Sequence, residues 1–66
     1  MKLKVIEQFA VKTDHEGNEI NVEFQPGQIL YYKTPTVYNE DGEAIADTGN
    51  KFLQAESKGW MKHLQD

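Results

Sequence analysis

The chain has 66 residues, of which 38% are hydrophobic and 27% are charged, and a formal net charge of −4. This length suits one small domain, and the composition is that of a soluble globular protein rather than of a disordered tail or a membrane span. The absence of cysteine excludes disulfides, thiolate metal sites and a cysteine nucleophile. The fold must therefore be stable by packing alone, or through association with a partner or a second copy.

The charge balance argues against a nucleic-acid partner. All seven basic residues are lysines and face eleven acids, so the whole chain repels a phosphate backbone and has no arginine to read bases. The apolar stretches are too short for a signal peptide or a membrane span. We therefore expect a cytoplasmic protein with no direct nucleic-acid partner and no membrane contact.

The first part of the chain predicts two antiparallel strands. Residues 2–12 alternate between apolar and polar, with exceptions at Ile6 and Glu7, and predict one long strand with one buried face. A polar turn over residues 13–18 follows. Residues 20–25 alternate most clearly and predict a second strand, antiparallel to the first.

The middle of the chain begins with turn chemistry at residues 25–28. Pro26 presets φ for the first central position, and Gly27 supplies the positive φ that a type II turn needs at the second. Residues 29–32 predict a third strand. Because Pro35 has no N–H to donate, the chain near it must form an edge, a bulge or a bend.

A second hairpin is predicted beyond that proline. Residues 36–38 and 44–47 form its strands, and residues 39–43 form a polar tip with an Asp-Gly turn signal. This tip and the one at residues 14–19 have the density of acids of a calcium loop but not its spacing. We interpret both as solvated tips, and whether they bind a cation stays open.

The last segment allows two structures. Residues 51–58 are good helix formers, with Asn50 as a possible N-cap and Gly59 as a possible C-terminal glycine. The alternative is a hairpin that turns at residues 57–59. We favour one short helix followed by a short final strand.

Two stretches resemble known proteins. The run from Phe24 to Ile29 resembles the turn that opens the second strand pair of SH3-like barrels. The run from Leu53 to Trp60 resembles the closing helix and glycine of short uncharacterised proteins from phages and prophages. The resemblance spans about residues 3–11, 22–30 and 52–64 and implies a fold and a genomic setting, not an activity.

These patterns together predict a single domain over residues 1–66. Its class is α+β: a mainly antiparallel small β-barrel, SH3-like, with one short helix near the C-terminus. The expected core contains Leu3, Val5, Phe9, Val11, Ile20, Val22, Phe24, Ile29, Leu53 and Trp60.

The sequence offers no catalytic constellation. Ser57 is the only serine and lacks a nucleophile-elbow context, and no glycine motif for phosphates is present. His15 lies at a predicted loop tip and His63 near the C-terminal end, and nothing in the sequence supports their meeting with a carboxylate, as a transition-metal site would need. We therefore predict that the protein is not an enzyme and has no metal site and no cofactor.

The aromatic residues are the best candidates for a binding surface. Tyr31 and Tyr32 are adjacent, so in a strand they point to opposite faces. We predict a contact surface formed by Tyr32, Tyr38 and Trp60, of the kind that binds extended or proline-rich peptides. The competing interpretation is that Trp60 and one tyrosine fill a thin core.

The function that fits these features is a non-catalytic protein-binding or assembly module. Its partner is expected to be another protein or a second copy of the chain, with a homodimer slightly favoured over a monomer. The alternative is an acidic inhibitor protein that mimics nucleic acid. Its candidate residues are Glu40, Asp41, Glu43 and Asp47.

Overall fold

The computed structural model describes residues 1–65, which form two antiparallel sheets and one short helix. A 3-10 turn at Gly49–Lys51 precedes the helix, α1, at Gln54–Ser57. The strands in chain order are β1 (Lys2–Val5), β2 (Phe9–Thr13), β3 (Glu19–Phe24), β4 (Ile29–Lys33), β5 (Thr36–Tyr38), β6 (Ala44–Asp47) and β7 (Met61–Leu64).

The predicted barrel is wrong, because both sheets are open. One sheet has the strand order β6-β5-β4-β1-β7, and the other contains only β2 and β3. A closed barrel would need a strand that continues from one sheet into the other. The first strand is instead interrupted between β1 and β2. The mainly antiparallel pairing and the single short helix are as predicted.

The break at residues 6–8 divides the long first strand that the sequence predicted. The backbone N–H groups of Ile6 and Glu7 both donate to the carbonyl of Trp60, at 2.6 and 3.0 Å. Ile6 and Glu7 are both exposed, so the buried face of β1 stops at Val5 and a buried face resumes only at Phe9. The two exceptions to the alternation thus mark where the chain leaves one sheet for the other.

The hairpin of β2 and β3 is confirmed. Its tip is organised by Asp14, whose Oδ1 accepts hydrogen bonds from the N–H groups of Glu16 and Asn18 at 2.9 and 2.8 Å. Desolvation acts to raise the pKa of Asp14, but the hydrogen bonds from Asn18 and Glu16 outweigh it and hold the pKa below its ordinary value. The carboxylate therefore serves as the cap of a turn.

The turn at residues 25–28 is confirmed as well. Gly27 has a φ of 92°, and the N–H of Gln28 donates to the carbonyl of Gln25 at 3.2 Å, as in a type II turn. The N–H of Gly27 also donates to the carbonyl of Val5 at 2.9 Å. The turn thereby holds the end of β1 next to the start of β4.

The C-terminal segment is a helix followed by a strand, as favoured. The predicted N-cap is wrong, because Asn50 lies in the 3-10 turn and α1 begins at Gln54. The predicted ending is right: Gly59 has a φ of 81°, its N–H donates to Glu56, and the N–H of Trp60 donates to Ala55. These two bonds form a Schellman ending, which turns the chain back toward β1.

The core lies between the inner face of the large sheet, the small sheet and α1. Five of the ten predicted members are buried, and Ile20, Val22, Leu53 and Trp60 pack around them at partial burial. The prediction of Ile29 as a core residue is wrong, because the pairing of Leu3 with Leu30 turns Leu30 inward and leaves Ile29 on the outer face. The buried set is Leu3, Val5, Phe9, Val11, Phe24, Leu30, Tyr32, Val37, Phe52, Ala55 and Met61.

The Phe24→Ala substitution tests this packing. Phe24 is 1% exposed, and its ring centroid lies 5.1 Å from that of Phe9 and 5.2 Å from that of Phe52. We expect a loss of about 3–5 kcal/mol in the free energy of unfolding, measured by urea denaturation. The control, Ile45→Ala on the exposed side of β6, should stay within about 0.5 kcal/mol. Equal losses in the two variants would contradict the assigned core.

Candidate functional site

The three predicted contact residues do not share one surface. Tyr32 points into the core and is 5% exposed, so its prediction as a contact residue is wrong. Tyr38 lies on the opposite, outer face of the large sheet, next to Tyr31. Trp60 is half-buried after α1, with its ring 6.0 Å from that of Phe9. Tyr38 and Trp60 therefore belong to two separate candidate surfaces.

Tyr32 is a core residue with an unusual feature. Its ring stacks on Phe52 with 5.7 Å between the centroids. Its hydroxyl oxygen is buried, and no residue within 1–65 forms a hydrogen bond with it. Adjacency in the sequence predicted that one of the two tyrosines points inward, but only the pairing of Tyr31 with Lys2 decides which.

The first candidate surface is the β2–α1 groove, which runs between β2 on one side and the helical segment on the other. Its volume is about 160 Å³, below the roughly 300 Å³ at which small-molecule pockets begin. A short extended segment suits it better than a cofactor does. Its lining consists of Phe9, Ala10, Val11, Lys12, Lys51, Gln54, Ala55, Lys58 and Trp60.

The strand that borders this groove has one unpaired edge. Phe9–Thr13 pairs with β3 along one edge, and within residues 1–65 no other strand or loop forms backbone hydrogen bonds with it. Because the N–H and C=O groups of a strand point alternately to its two sides, half of them face the groove. Such an edge is a template for an incoming strand.

The groove is lined by positive charge. Three of its residues are lysines, and no carboxylate lines it. Lys58 Nζ lies 4.7 Å from the centroid of the Trp60 ring, and Lys12 Nζ donates to Asn21 Oδ1 at 2.9 Å. Lys51 Nζ donates to the Thr13 hydroxyl and to the carbonyl of Asp14. None of these contacts neutralises the charge, so the groove is suited to an anionic segment.

The second candidate surface is the outer face of the large sheet. The pairing of Lys4 with Lys62 and of Lys2 with Tyr31 places these side chains in adjacent rows. Within residues 1–65 the one ion pair is between His15 and Glu16, so no lysine of this face is bound to a carboxylate. The outer face comprises Lys2, Lys4, Ile29, Tyr31, Lys33, Thr36, Tyr38, Ala44, Asp47, Lys62 and Leu64.

The acids proposed for nucleic-acid mimicry are not one cluster. Glu40, Asp41 and Glu43 lie at or beside the tip of the β5–β6 hairpin, whereas Asp47 ends β6 and accepts a hydrogen bond from the Thr36 hydroxyl at 2.6 Å. In the described part of the chain, no three histidine, aspartate or glutamate side chains converge as metal ligands would.

Comparison of the chain with protein-family models, with curated proteins and with solved structures finds no match. The kinship with short phage-type proteins therefore stays a prediction. No helix within residues 1–65 is long and apolar enough to cross a membrane.

The separate start of β2 and the meeting of Lys4 with Lys62 were missed in the sequence. The interruption at Ile6 and Glu7 was the available signal for the separate start, since a break in period 2 ends a strand. The lysine positions gave no such signal. Lys4 and Lys62 are 58 positions apart, and only the pairing of β1 with β7 brings them together.

The Tyr32→Phe substitution tests the orphaned hydroxyl. A buried hydroxyl without a partner costs about 1–3 kcal/mol, so its removal should raise the free energy of unfolding by about 1 kcal/mol or more. The matched control is Tyr31→Phe on the exposed outer face, which should change stability by less than about 0.5 kcal/mol. Chemical denaturation measures both, and a clear loss of stability in Tyr32→Phe would show that the hydroxyl is bonded.

Proposed function

We propose that the protein is a non-catalytic binding module that takes up an extended, acid-bearing segment of another protein in the β2–α1 groove. The observation that carries this proposal is the unpaired edge of β2 beside three lysines, with no carboxylate in the lining. Strand addition explains why a domain would keep such an edge open, since the incoming backbone completes its hydrogen bonds.

The groove also favours a particular side-chain pattern in its partner. An added strand directs alternate side chains to opposite faces, so one set packs toward Phe9, Ala55 and Trp60 while the other faces outward. The flexible side chains of Lys12 and Lys58 flank the groove and reach acids of the outward set. The segment that fits best therefore alternates apolar and acidic residues.

Binding of this kind is weak and reversible. The five residues of β2 offer a contact smaller than the roughly 1,200 Å² of a stable protein interface. A transient, adaptor-like role in the cytoplasm belongs to the same proposal. Self-association and the acidic-mimic alternative stay predictions. β6 and β7, the outer strands of the large sheet, would offer a second copy further edges besides that of β2.

A peptide titration tests the proposal. The probe is the heptapeptide Glu-Val-Glu-Val-Glu-Val-Glu, and the signal is the fluorescence of Trp60, the only tryptophan, which lines the groove. We expect saturable binding that weakens about three- to tenfold in the double variant Lys12→Gln/Lys58→Gln, because exposed ion pairs contribute up to about 1 kcal/mol each. The control variant Lys33→Gln, on the outer face, should bind as the wild type does.

Two control peptides separate strand addition from simple attraction. The same peptide with lysine in place of each glutamate should not bind, because its positive charges are repelled by the lysines of the groove. A glutamate–valine peptide with alternate N-methylated backbone nitrogens should bind poorly, because it cannot donate to β2. If the N-methylated peptide binds as tightly as the unmodified one, or if the wild type binds neither, the proposal is wrong.

A further inference from the structure

The outer face of the large sheet has an electrostatic arrangement that the fold does not explain. Lys4 and Lys62 lie directly opposite each other on β1 and β7, and Lys2 occupies the neighbouring row. Like charges directly opposite on adjacent strands destabilise a sheet. No carboxylate in residues 1–65 forms an ion pair with them. A bound anion would relieve this repulsion.

Two tyrosines accompany these lysines. Tyr31 and Tyr38 are paired across β4 and β5, so their rings leave the same face side by side. Tyr31 is 38% exposed, and Lys2 Nζ lies 6.0 Å from its ring centroid. We propose that this face binds single-stranded nucleic acid, with phosphates at the lysines and bases stacked on the two tyrosine rings.

The pairing of the sheet favours this ligand over an acidic polypeptide. β1 and β4 are each hydrogen-bonded on both sides, so the middle of the face offers side chains and no free backbone groups. A polypeptide lying there would find no backbone partners for its own N–H and C=O groups and could not add to the sheet as a strand. A single strand of nucleic acid has no amide backbone and brings flat rings and phosphates, which match the tyrosine rings and lysines of the face.

The net charge of the chain does not oppose this binding at short range. Charges are screened beyond about 8–10 Å in physiological salt, and the molecule extends 30 × 23 × 16 Å. One acid, Asp47, lies on the face in the row of Lys33 and Thr36, at the β6 edge, and Glu40 and Asp41 line a hollow together with Ile29. Without arginine the face lacks bidentate base recognition, so the binding is sequence-tolerant.

Fluorescence anisotropy with a labelled 15-nucleotide oligo-dT tests the inference. We expect binding at low salt whose logarithm of affinity falls with the logarithm of salt concentration at a slope of about −2, as for three phosphate contacts. Lys4→Gln/Lys62→Gln should reduce the slope to about −0.7, as for one remaining contact. Tyr31→Leu/Tyr38→Leu should weaken binding about fivefold or more, as the loss of base stacking requires.

The controls identify the ligand class and the surface. Lys58→Gln, in the groove, should bind the oligonucleotide as the wild type does, and a duplex should bind more weakly than the single strand. Absence of binding at low salt would overturn the inference, as would equal competition by polyglutamate or unchanged affinity in the tyrosine variant. If circular dichroism shows that the tyrosine variant is unfolded, the lysine variant and its salt slope decide. Because the groove is untouched, these outcomes are independent of the peptide titration.

Discussion

The carbonyl of Trp60 is the point on which the structure depends. It accepts the N–H groups of both Ile6 and Glu7, as in a β-bulge, at the point where β1 ends after Val5. The carbonyl is in position because the Schellman ending at Gly59 turns the chain from α1 back toward β1. A local helix ending thus places the acceptor group at the point where the chain leaves the large sheet for the small one.

Both candidate surfaces follow from that break. β1 lies between β4 and β7, and the outer sides of these strands form one continuous face that carries lysines and tyrosines. Because β2 starts afresh, it pairs with β3 alone and leaves its other edge beside Trp60. The lysines of this acidic chain therefore lie on two different surfaces. The groove has free backbone N–H and C=O groups along β2, whereas the backbone groups in the middle of the outer face are already paired within the sheet. This difference is why the two surfaces suit different ligands.

Local chemistry made much of the fold predictable. The type II turn at Gly27, the hairpin tips and the ending at Gly59 depend on residues within six positions of one another, and all three formed as predicted. Pairings between distant segments were not predictable in this way. Whether Tyr31 or Tyr32 faces inward depends on the register with Lys2 and Leu3, and the place where β1 ends involves hydrogen bonds from residues 6 and 7 to residue 60. The three predicted contact residues lie in different places because pairings between distant segments put Tyr32 in the core, Tyr38 on the outer face and Trp60 beside the groove.

Amide hydrogen exchange of the free protein, followed residue by residue by NMR, tests the account most directly. In β1, which has a paired strand on each side, every amide should be protected. In β2, protection should alternate, with the amides that face β3 exchanging slowly and those that face the groove exchanging fast. Uniform protection along β2 would mean that both of its edges are paired, and it would contradict the open edge and the function proposed for it.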